Sequence, residues 1–290
     1  MCICKKTTAL VLSGVAILLG MAGCGASEPG GDVRGRDISI VAREEGSGTR
    51  GAFVEIMGIV DADGVDATVQ TAEVVNSTSV VTQTVVGNPA AIGYISMGSL
   101  DSTVKALAVD GVEGTAEHVK DGSYPVSRPF HICYREDRLT DLGRDFVKFI
   151  LSADGQAILG ETYIAVEEGA EAYTASGVTG KLSVNGSTSV GPVMMELAEA
   201  YRNWNPGVTI DVQQTGSGAG ITATLDGSCE IGMSSRDLNE EELAQGLTAV
   251  RIALDGIAVI VNQKNPVTGL TTQQIRDIFL GNVTSWSELG

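Results

Sequence analysis

Apolar residues recur along this chain in two spacings, one typical of amphipathic helices and one typical of buried strands. The strands predicted in this way are Asp37–Ala42, Ala91–Ile95, Val104–Val109, Arg128–Tyr134, Leu182–Asn185, Val208–Val212, Ile231–Ser234, Thr248–Ala253 and Gly256–Val261. The predicted helices are Gly48–Ile59, Ser77–Val86, two that follow Tyr134, Val190–Tyr201 and Thr271–Phe279. Because strands and helices alternate, we expect an α/β fold whose sheets are mostly parallel and flanked by helices.

The chain length and one change in composition predict how the domains are organised. With 290 residues, the chain is long enough for two domains that each bury a core. Residues 167–180 are rich in Gly, Ala, Glu, Ser and Thr, a composition typical of a linker that crosses the surface.

The N-terminus has the pattern of a targeting segment. Lys5 and Lys6 precede an apolar run too short to span a bilayer, and small residues lead up to Cys24. This pattern resembles a bacterial lipoprotein signal, which predicts a signal peptide over residues 1–23, lipid on Cys24 and a tether over residues 24–32. The alternatives are an uncleaved anchor and an ordinary signal peptide.

The charge balance limits the class of partner. The chain has 36 acidic residues against 19 basic ones, a formal net charge of −17. Such a surface repels phosphate backbones and anionic lipids, so we expect neither nucleic-acid binding nor a polybasic membrane patch.

Cysteine and histidine are too sparse to predict a metal site or a cofactor. Without the signal peptide and a lipidated Cys24, only Cys133 and Cys229 remain, as one disulfide or as two free buried thiols. His118 and His131 are the only histidines, and no cluster with metal-ligand spacing accompanies them.

Three loops of small residues each follow a predicted strand and precede a helix. They are Arg43–Arg50, Gly186–Ser189 and Thr215–Gly220. The first N–H groups of a helix lack partners, glycine allows close approach, and hydroxyls add donors, so such loops suit an oxyanion. Each loop alone is explained by helix capping. Three together at the carboxyl ends of strands predict a binding site for an anion.

An acidic protein that binds an anion needs local dipoles and a buried cation. Arg43 is the best candidate, because it ends a strand just before the glycine loop and a guanidinium can hold two oxygens of a tetrahedral anion. We expect Glu45 to orient Arg43 through a salt bridge. The alternative is a surface ion pair of Arg43 with Glu44 or Glu45.

The loops in combination resemble the phosphate-binding proteins of bacterial ABC transporters. The stretches that carry the resemblance are Arg43–Arg50, Val184–Val190, Gly216–Ile221, Ile231–Arg236 and Asp255–Val259. The resemblance covers nearly all of the chain beyond the tether. It implies a two-lobed periplasmic-binding-protein fold with a ligand cleft between the lobes. The protein would capture inorganic phosphate and deliver it to an ABC permease, as a monomer that its lipid holds at the outer face of the cytoplasmic membrane.

The resemblance also assigns the contacts to phosphate. One lobe would contribute Thr188, Ser189, Ser217 and Ser235, and the other Arg43, Ser47, Gly48 and Thr49, with Gly216, Glu45 and Arg236 in support. Ser235 departs from the family, whose better-known members have an aspartate there that accepts the proton of hydrogen phosphate and rejects sulfate. A hydroxyl opposes sulfate less strongly. Glu44 or Asp237 could take over this role, and sulfate or molybdate remain alternative ligands.

The order of the segments also departs from the family, in which the loop resembling Gly186–Ser189 comes first. The reversed order predicts a circular permutation, with residues 167–180 joining the former ends. Domain two would then comprise residues 33–124 and 263–290, and domain one residues 125–262. The alternative is a fragment or two half-genes read as one.

An enzyme is the competing class of function. A hydrolase needs an activated nucleophile, yet no GxSxG motif surrounds Ser47, Ser189 or Ser217. We therefore expect a binding protein without catalytic residues. A phosphate-sensing lipoprotein without a transport role is a further alternative.

Overall fold

The computed structural model describes residues 33–167 and 169–289. The predicted signal peptide, Cys24 and the tether lie outside the described residues. Within the described part, no helix combines the length and the apolar character needed to cross a membrane.

The protein has an α/β fold in which most of the predicted elements are present. The strands are β1 Ser39–Arg43, β2 Glu73–Val75, β3 Ala91–Ser96, β4 Val104–Ala106, β5 Ala108–Val109, β6 Ser127–Arg135, β7 Ile164–Ala165, β8 Gly180–Gly186, β9 Val208–Gln214, β10 Ile231–Ser234, β11 Leu247–Asn262 and β12 Gly269–Leu270. The helices are α1 Gly48–Met57, α2 Thr78–Gly87, α3 Ala116–Lys120, α4 Asp141–Leu151, α5 Ala153–Gly160, α6 Gly191–Trp204, α7 Ser217–Asp226, α8 Glu240–Ala244 and α9 Thr272–Phe279. Single 3-10 turns occupy Val33–Gly35, Met97–Ser99 and Trp286–Leu289.

The main sheet is mixed, with parallel ends and an antiparallel centre. Its strand order is β2-β1-β3-β11-β6-β10-β8-β9, with β4 and β7 also paired to β11. Strands β2, β1 and β3 are parallel at one end, and β10, β8 and β9 at the other. The central strands β11 and β6 run antiparallel to each other and to their outer neighbours. In the main sheet, parallel strands are therefore confined to the two ends, where the predicted anion-binding loops connect β1 to α1, β8 to α6 and β9 to α7.

The long strand β11 corrects the prediction of two strands, Thr248–Ala253 and Gly256–Val261. Leu254 and Asp255 lay between the two predicted strands, but the strand continues through both residues, and Arg128 of β6 lies directly opposite Asp255. The predicted strand Val104–Val109 is likewise corrected. It divides into β4, which pairs with β11, and β5, which pairs with β12.

The buried apolar residues form separate clusters towards the two ends of the sheet. One cluster includes Phe146, Leu197 and Met233, from α4, α6 and β10. Another includes Phe53 and Phe279, from α1 and α9. Strand β11 passes from the first cluster, through Ile252 and Ala253, to the second, through Ile257 and Val259.

The last described residues pack beside the first ones. Ile38 donates its N–H to the carbonyl of Thr284 at 2.8 Å, and Trp286 donates to the carbonyl of Arg36 at 3.2 Å. Asp37 and Ser285 form an antiparallel bridge between these bonds. The two ends of the described chain are thus joined along one short seam.

Candidate anion-binding site

The loop between β1 and α1 places the N-terminus of α1 at the end of β1. Ser47 caps the helix by accepting the N–H of Arg50 at 3.4 Å, and Gly46 turns the chain with a φ of 80°. Gly48 and Thr49 form the first turn of α1, where backbone N–H groups lack helical partners. All three predicted residues, Ser47, Gly48 and Thr49, are buried.

The loops after β8 and β9 are fastened to each other and to the loop after β1. Gly186 accepts the N–H groups of both Thr215 and Gly216 through its carbonyl, each at 2.9 Å. Gly218, in the first turn of α7, donates its N–H to the carbonyl of Gly46 at 2.9 Å. The bond from Gly218 to Gly46 brings together loops that are distant in the sequence, whereas the bonds to Gly186 join neighbouring strand ends.

Ser187, rather than the residue at the helix start, caps α6. Its hydroxyl accepts the N–H groups of Ser189 and Val190, at 3.2 and 3.3 Å. Thr188 and Ser189 are thereby left with side chains that point to other loops. Ser187 itself plays a local structural part.

Hydroxyl groups from different loops meet in one buried cluster. Thr49 and Ser189 lie 2.9 Å apart through their side-chain oxygens, Thr78 and Thr188 lie 3.1 Å apart, and Thr78 and Ser189 lie 3.4 Å apart. The cluster thus joins the N-termini of α1, α2 and α6. Its members can each donate and accept a hydrogen bond.

A second group of hydroxyls adjoins Gly48. Ser217 and Ser235 lie 3.4 Å apart through their side-chain oxygens, and Ser235 donates its N–H to Ser217 at 3.2 Å. A Cβ atom on Gly48 would stand 2.4 Å from the Ser217 oxygen and 2.7 Å from the Ser235 oxygen. Only glycine fits there, because the α1 backbone faces both hydroxyls.

Arg43 is buried beside the hydroxyl cluster and contacts it through Thr78. Its Nη1 donates to Thr78 at 3.4 Å, and its side chain is 2 % exposed. Its backbone is held on both sides, since its N–H donates to the hydroxyl of Tyr94 at 3.1 Å and its carbonyl accepts from Arg50 at 2.8 Å. Burial raises the pKa of Tyr94 to about 12, so that hydroxyl is neutral.

The carboxylate that orients Arg43 is Glu44, and the prediction of Glu45 is wrong. Glu44 accepts from Nε and Nη2 of Arg43 at 2.8 and 2.7 Å, in a two-pronged ion pair. Glu44 remains at the sheet edge because its N–H donates to Val75 at 3.0 Å. Glu45 occupies the outer corner of the following turn and is exposed.

Thr78, at the start of α2, also belongs to the cluster, although it lies in none of the three predicted loops. Ser77 is the cap of α2, and its hydroxyl accepts the N–H of Val80 at 3.3 Å. Thr78, one residue later, contacts Arg43, Thr188 and Ser189. The sequence shows the same pattern here as in the predicted loops, with a serine and a threonine where strand β2 leads into helix α2. A single loop of that kind is also explained by helix capping, so the pattern did not identify Thr78 as a site residue.

A second buried guanidinium, that of Arg128, bonds the backbone of Ser235. The sequence had predicted only one buried cation, Arg43. Arg128 donates through Nε and Nη2 to Asp255, at 3.1 and 3.0 Å, and through Nη1 to the carbonyl of Ser235 at 3.3 Å. Burial raises the pKa of Asp255 and lowers the pKa of Arg128, while the opposite charge of each partner opposes both shifts.

The charged residues that follow Ser235 are turned away from the hydroxyl cluster. Arg236 pairs with Glu242 at 2.7 Å, and this bond raises the pKa of Arg236. Asp237 is exposed and lies 3.6 Å from His131. Of the two carboxylates considered as substitutes for the family's aspartate, Glu44 is the one next to Arg43.

A groove adjoins the cluster at Thr78 and Thr188. It has a volume of about 580 Å³ and is lined mainly by α2, the segment 99–103, Pro192 and Gln214. The hydroxyl cluster therefore adjoins the groove at these two residues.

The two remaining cysteines are free thiols, which settles the alternatives left open by the sequence. Cys133 and Cys229 are both buried, and burial raises the pKa of Cys133 to about 12. Among the described residues, no group of three or more His, Cys, Asp and Glu side chains is arranged to hold a metal ion.

Comparisons with known proteins agree with this architecture. The family model of the PBP superfamily domain matches residues 29–154 and 171–290. A protein named "Phosphate-binding protein PstS 2" from Streptococcus agalactiae is 46 % identical over 98 % of this chain and 99 % of its own. The crystal structure of a phosphate ABC transporter, phosphate-binding protein from Streptococcus pneumoniae has a TM-score of 0.70 and 47 % identity, over 88 % of this chain and 100 % of that one.

A more distant relative matches only in part. "Phosphate-binding protein PstS" from Pseudomonas aeruginosa is 35 % identical over 41 % of this chain and 42 % of its own. The fold and the matched model define the class as that of periplasmic-binding-protein domains. Within that class, the chain belongs to the same family as the streptococcal PstS 2 proteins.

Proposed function

We propose that this protein binds inorganic phosphate at the cluster formed by Arg43 and the buried hydroxyls, and delivers it to an ABC permease outside the cytoplasm. The observation that supports this most is the convergence of the loops after β1, β8, β9 and β10 on one buried place. Relatives of high identity are named as phosphate-binding proteins, which are not enzymes.

In this proposal Arg43, Ser47, Gly48 and Thr49 face Thr188, Ser189, Ser217 and Ser235 across the anion. Backbone N–H groups at the starts of α1 and α7 donate to phosphate oxygens. The hydroxyls that now bond one another turn towards the anion as donors. Thr78 is added to the set, because it bonds Arg43 and both residues of the loop after β8.

The proposal also includes the lobes and the anchor. The sequence predicts lobes of residues 33–124 with 263–290 and of residues 125–262. The two apolar clusters support two lobes but favour a crossing on β11 near Asp255, because Ile257 and Val259 belong to the same cluster as Phe53 and Phe279. Lipid on Cys24 would then attach the monomer to the outer face of the cytoplasmic membrane through domain two.

Titration calorimetry with inorganic phosphate, with sulfate and molybdate as competitors, tests the proposed ligand. We expect Arg43→Ala to weaken phosphate binding by about 2–5 kcal/mol, because the cation is buried. Arg202→Ala, an exposed arginine on α6, is the matched control and should bind like the wild type. Absence of heat with phosphate and strong heat with sulfate or molybdate would reassign the site to another oxyanion.

A further inference from the structure

Arg128 and Asp255 form a buried ion pair at the point where β6 and β11 pass between the two apolar clusters. The two residues are direct partners in the antiparallel register, and each side chain is 1 % exposed. Phe130, two residues after Arg128, belongs to one cluster, and Ile257, two residues after Asp255, to the other.

The pair is linked to both ends of the sheet. Asp255 accepts the hydroxyl of Ser96, at the end of β3, at 2.9 Å and also accepts the N–H of Gly98. Arg128 donates to the carbonyl of Ser235, just beyond the end of β10. Both backbone polar groups of Ser235 are therefore bonded: its carbonyl accepts from Arg128, and its N–H donates to the hydroxyl of Ser217.

Stability alone is a weak reason for such a pair. Two buried charges lose so much hydration that well-packed apolar residues are often as stabilising. The planar guanidinium of Arg128, in contrast, fixes the relative orientation of its partners. Two of its N–H groups donate to Asp255, and a third donates to the carbonyl of Ser235.

We infer that Arg128 is a positioning residue that sets the Ser235 hydroxyl, and through it the preference for phosphate over sulfate. This inference rests on the proposed function. Ser235 stands where the family's better-known members have an aspartate, so its hydroxyl must be well placed to accept the proton of hydrogen phosphate. Asp255 in turn holds Arg128 in the required orientation.

A double-mutant cycle of Asp255→Asn and Ser235→Ala tests the inference, with phosphate and sulfate affinities measured by calorimetry. We expect Asp255→Asn to lower the phosphate-to-sulfate affinity ratio by about threefold or more, since the coupled groups are in contact through Arg128. In the Ser235→Ala background the same substitution should change the ratio by less than about twofold, because the positioned hydroxyl is gone.

Asp145→Asn is the matched structural control. Asp145 binds the hydroxyls of Tyr173 and Tyr201 in the cluster around α4, so its loss should lower the melting temperature and leave the ratio unchanged. If Asp255→Asn has that same outcome, the pair serves stability alone and the inference is overturned. An equal change of the ratio in both backgrounds overturns it as well.

Arg128→Lys is the second variant, since it keeps a cation beside Asp255 but lacks the third donor that reaches Ser235. We expect it to lower the ratio as Asp255→Asn does. If neither variant folds while Ser235→Ala does, the pair is a folding requirement and the positioning role is rejected. A wild type that binds no phosphate contradicts the proposed function instead.

Discussion

At the scale of single residues, the site combines neutral hydroxyls with cations that already have their own carboxylates. Arg43 is paired with Glu44, and Arg128 with Asp255. In a chain of formal charge −17, such pairs keep the cations inside the protein and oriented. In the proposed site, the hydroxyls would provide most of the side-chain donors without adding charge.

Gly48→Ala is expected to weaken phosphate binding by about tenfold or more. The added Cβ would collide with the Ser217 and Ser235 hydroxyls, and overpacking of this kind typically costs about 1–3 kcal/mol. Calorimetry measures the affinity, and thermal unfolding checks that the variant is folded. Gly87→Ala is the matched control, because a Cβ there has no neighbour within 4 Å. Equal affinities of the two variants would contradict the proposed closeness of α1 to these hydroxyls.

His131 is expected to make stability depend on pH. Burial lowers the pKa of His131, and its Nδ1 has no hydrogen-bond partner among the described residues. The exposed Asp237 and a backbone hydrogen bond with Arg236 oppose the shift without cancelling it. The unfolded chain therefore binds a proton near its ordinary pKa of about 6.5 that the folded protein binds only at lower pH. The free energy of unfolding should thus fall as the pH drops below about 6.5.

Urea unfolding of the wild type and His131→Gln between pH 5 and pH 7.5 measures this effect. The fall in stability should be smaller in His131→Gln and unchanged in the control His118→Gln. The imidazole of His118 lies at the surface and donates through Nδ1 to the carbonyl of Glu113 at 2.8 Å. If His131→Gln retains the full fall, the pH dependence comes from other groups.

The site residues differ in how far the sequence could predict them. Strand–loop–helix patterns and the family resemblance named Arg43, Ser217 and Ser235 directly. Glu44 was missed as the partner of Arg43, because the choice between adjacent glutamates depends on the turn geometry. Arg128 was missed because its partner Asp255 is distant in the sequence, and only the register of β6 against β11 brings the two together.

At the scale of elements, the alternation of strands and helices predicted the parallel ends of the sheet, but its antiparallel centre depends on tertiary pairing. Strand β11 illustrates the difference. Its apolar residues were predicted as strand on both sides of Asp255, while the charged residue itself lay between the two predicted strands. Local propensity could not reveal that a buried arginine on β6 neutralises that charge.

The segment between β7 and β8 is held to the surface by one aromatic side chain. Tyr173 is 3 % exposed and packs edge-on against Phe149 and Trp204, with ring centroids 5.1 and 5.9 Å apart. Its hydroxyl donates to Asp145 and accepts from Asn205. The predicted linker is therefore anchored at its middle.

Tyr173→Ala is expected to lower the free energy of unfolding by about 3–5 kcal/mol, the usual cost of removing a buried aromatic ring. Thr174→Ala, at the exposed neighbouring position, should change it by less than about 0.5 kcal/mol. Chemical denaturation measures both values. A small effect of Tyr173→Ala would mean that the linker does not contribute to the stability of the fold.

At the scale of the whole molecule, the seam between the ends supports the proposed circular permutation. Residues 36–38 bond to residues 284–286, so a short connection could replace the break between them. The match to Streptococcus agalactiae along nearly the whole of both chains implies the same segment order there. The partial match to the Pseudomonas aeruginosa protein agrees with a different order, because one alignment can then follow only one block.

A rearranged chain tests the permutation. It begins at Gly177, runs to Gly290, continues through a few glycines to Val33, and ends at Ser176. Because the seam already holds those ends together and position 177 is exposed, we expect a folded protein whose phosphate affinity lies within about twofold of that of residues 33–290 in the present order. Circular dichroism and calorimetry measure fold and affinity. A rearranged chain that fails to fold would contradict the proposal.

The seam has a practical consequence for how the molecule can be handled. Residue 38 lies just before β1 and Arg43 ends it, so the site and the seam are about 15 Å apart along that strand. A surface coupling or a fluorescent domain attached after residue 289 would therefore lie at the end of β1 opposite to the proposed anion site. Immobilisation on beads or a sensor chip through the C-terminal end should thus leave the proposed anion site accessible to phosphate in solution.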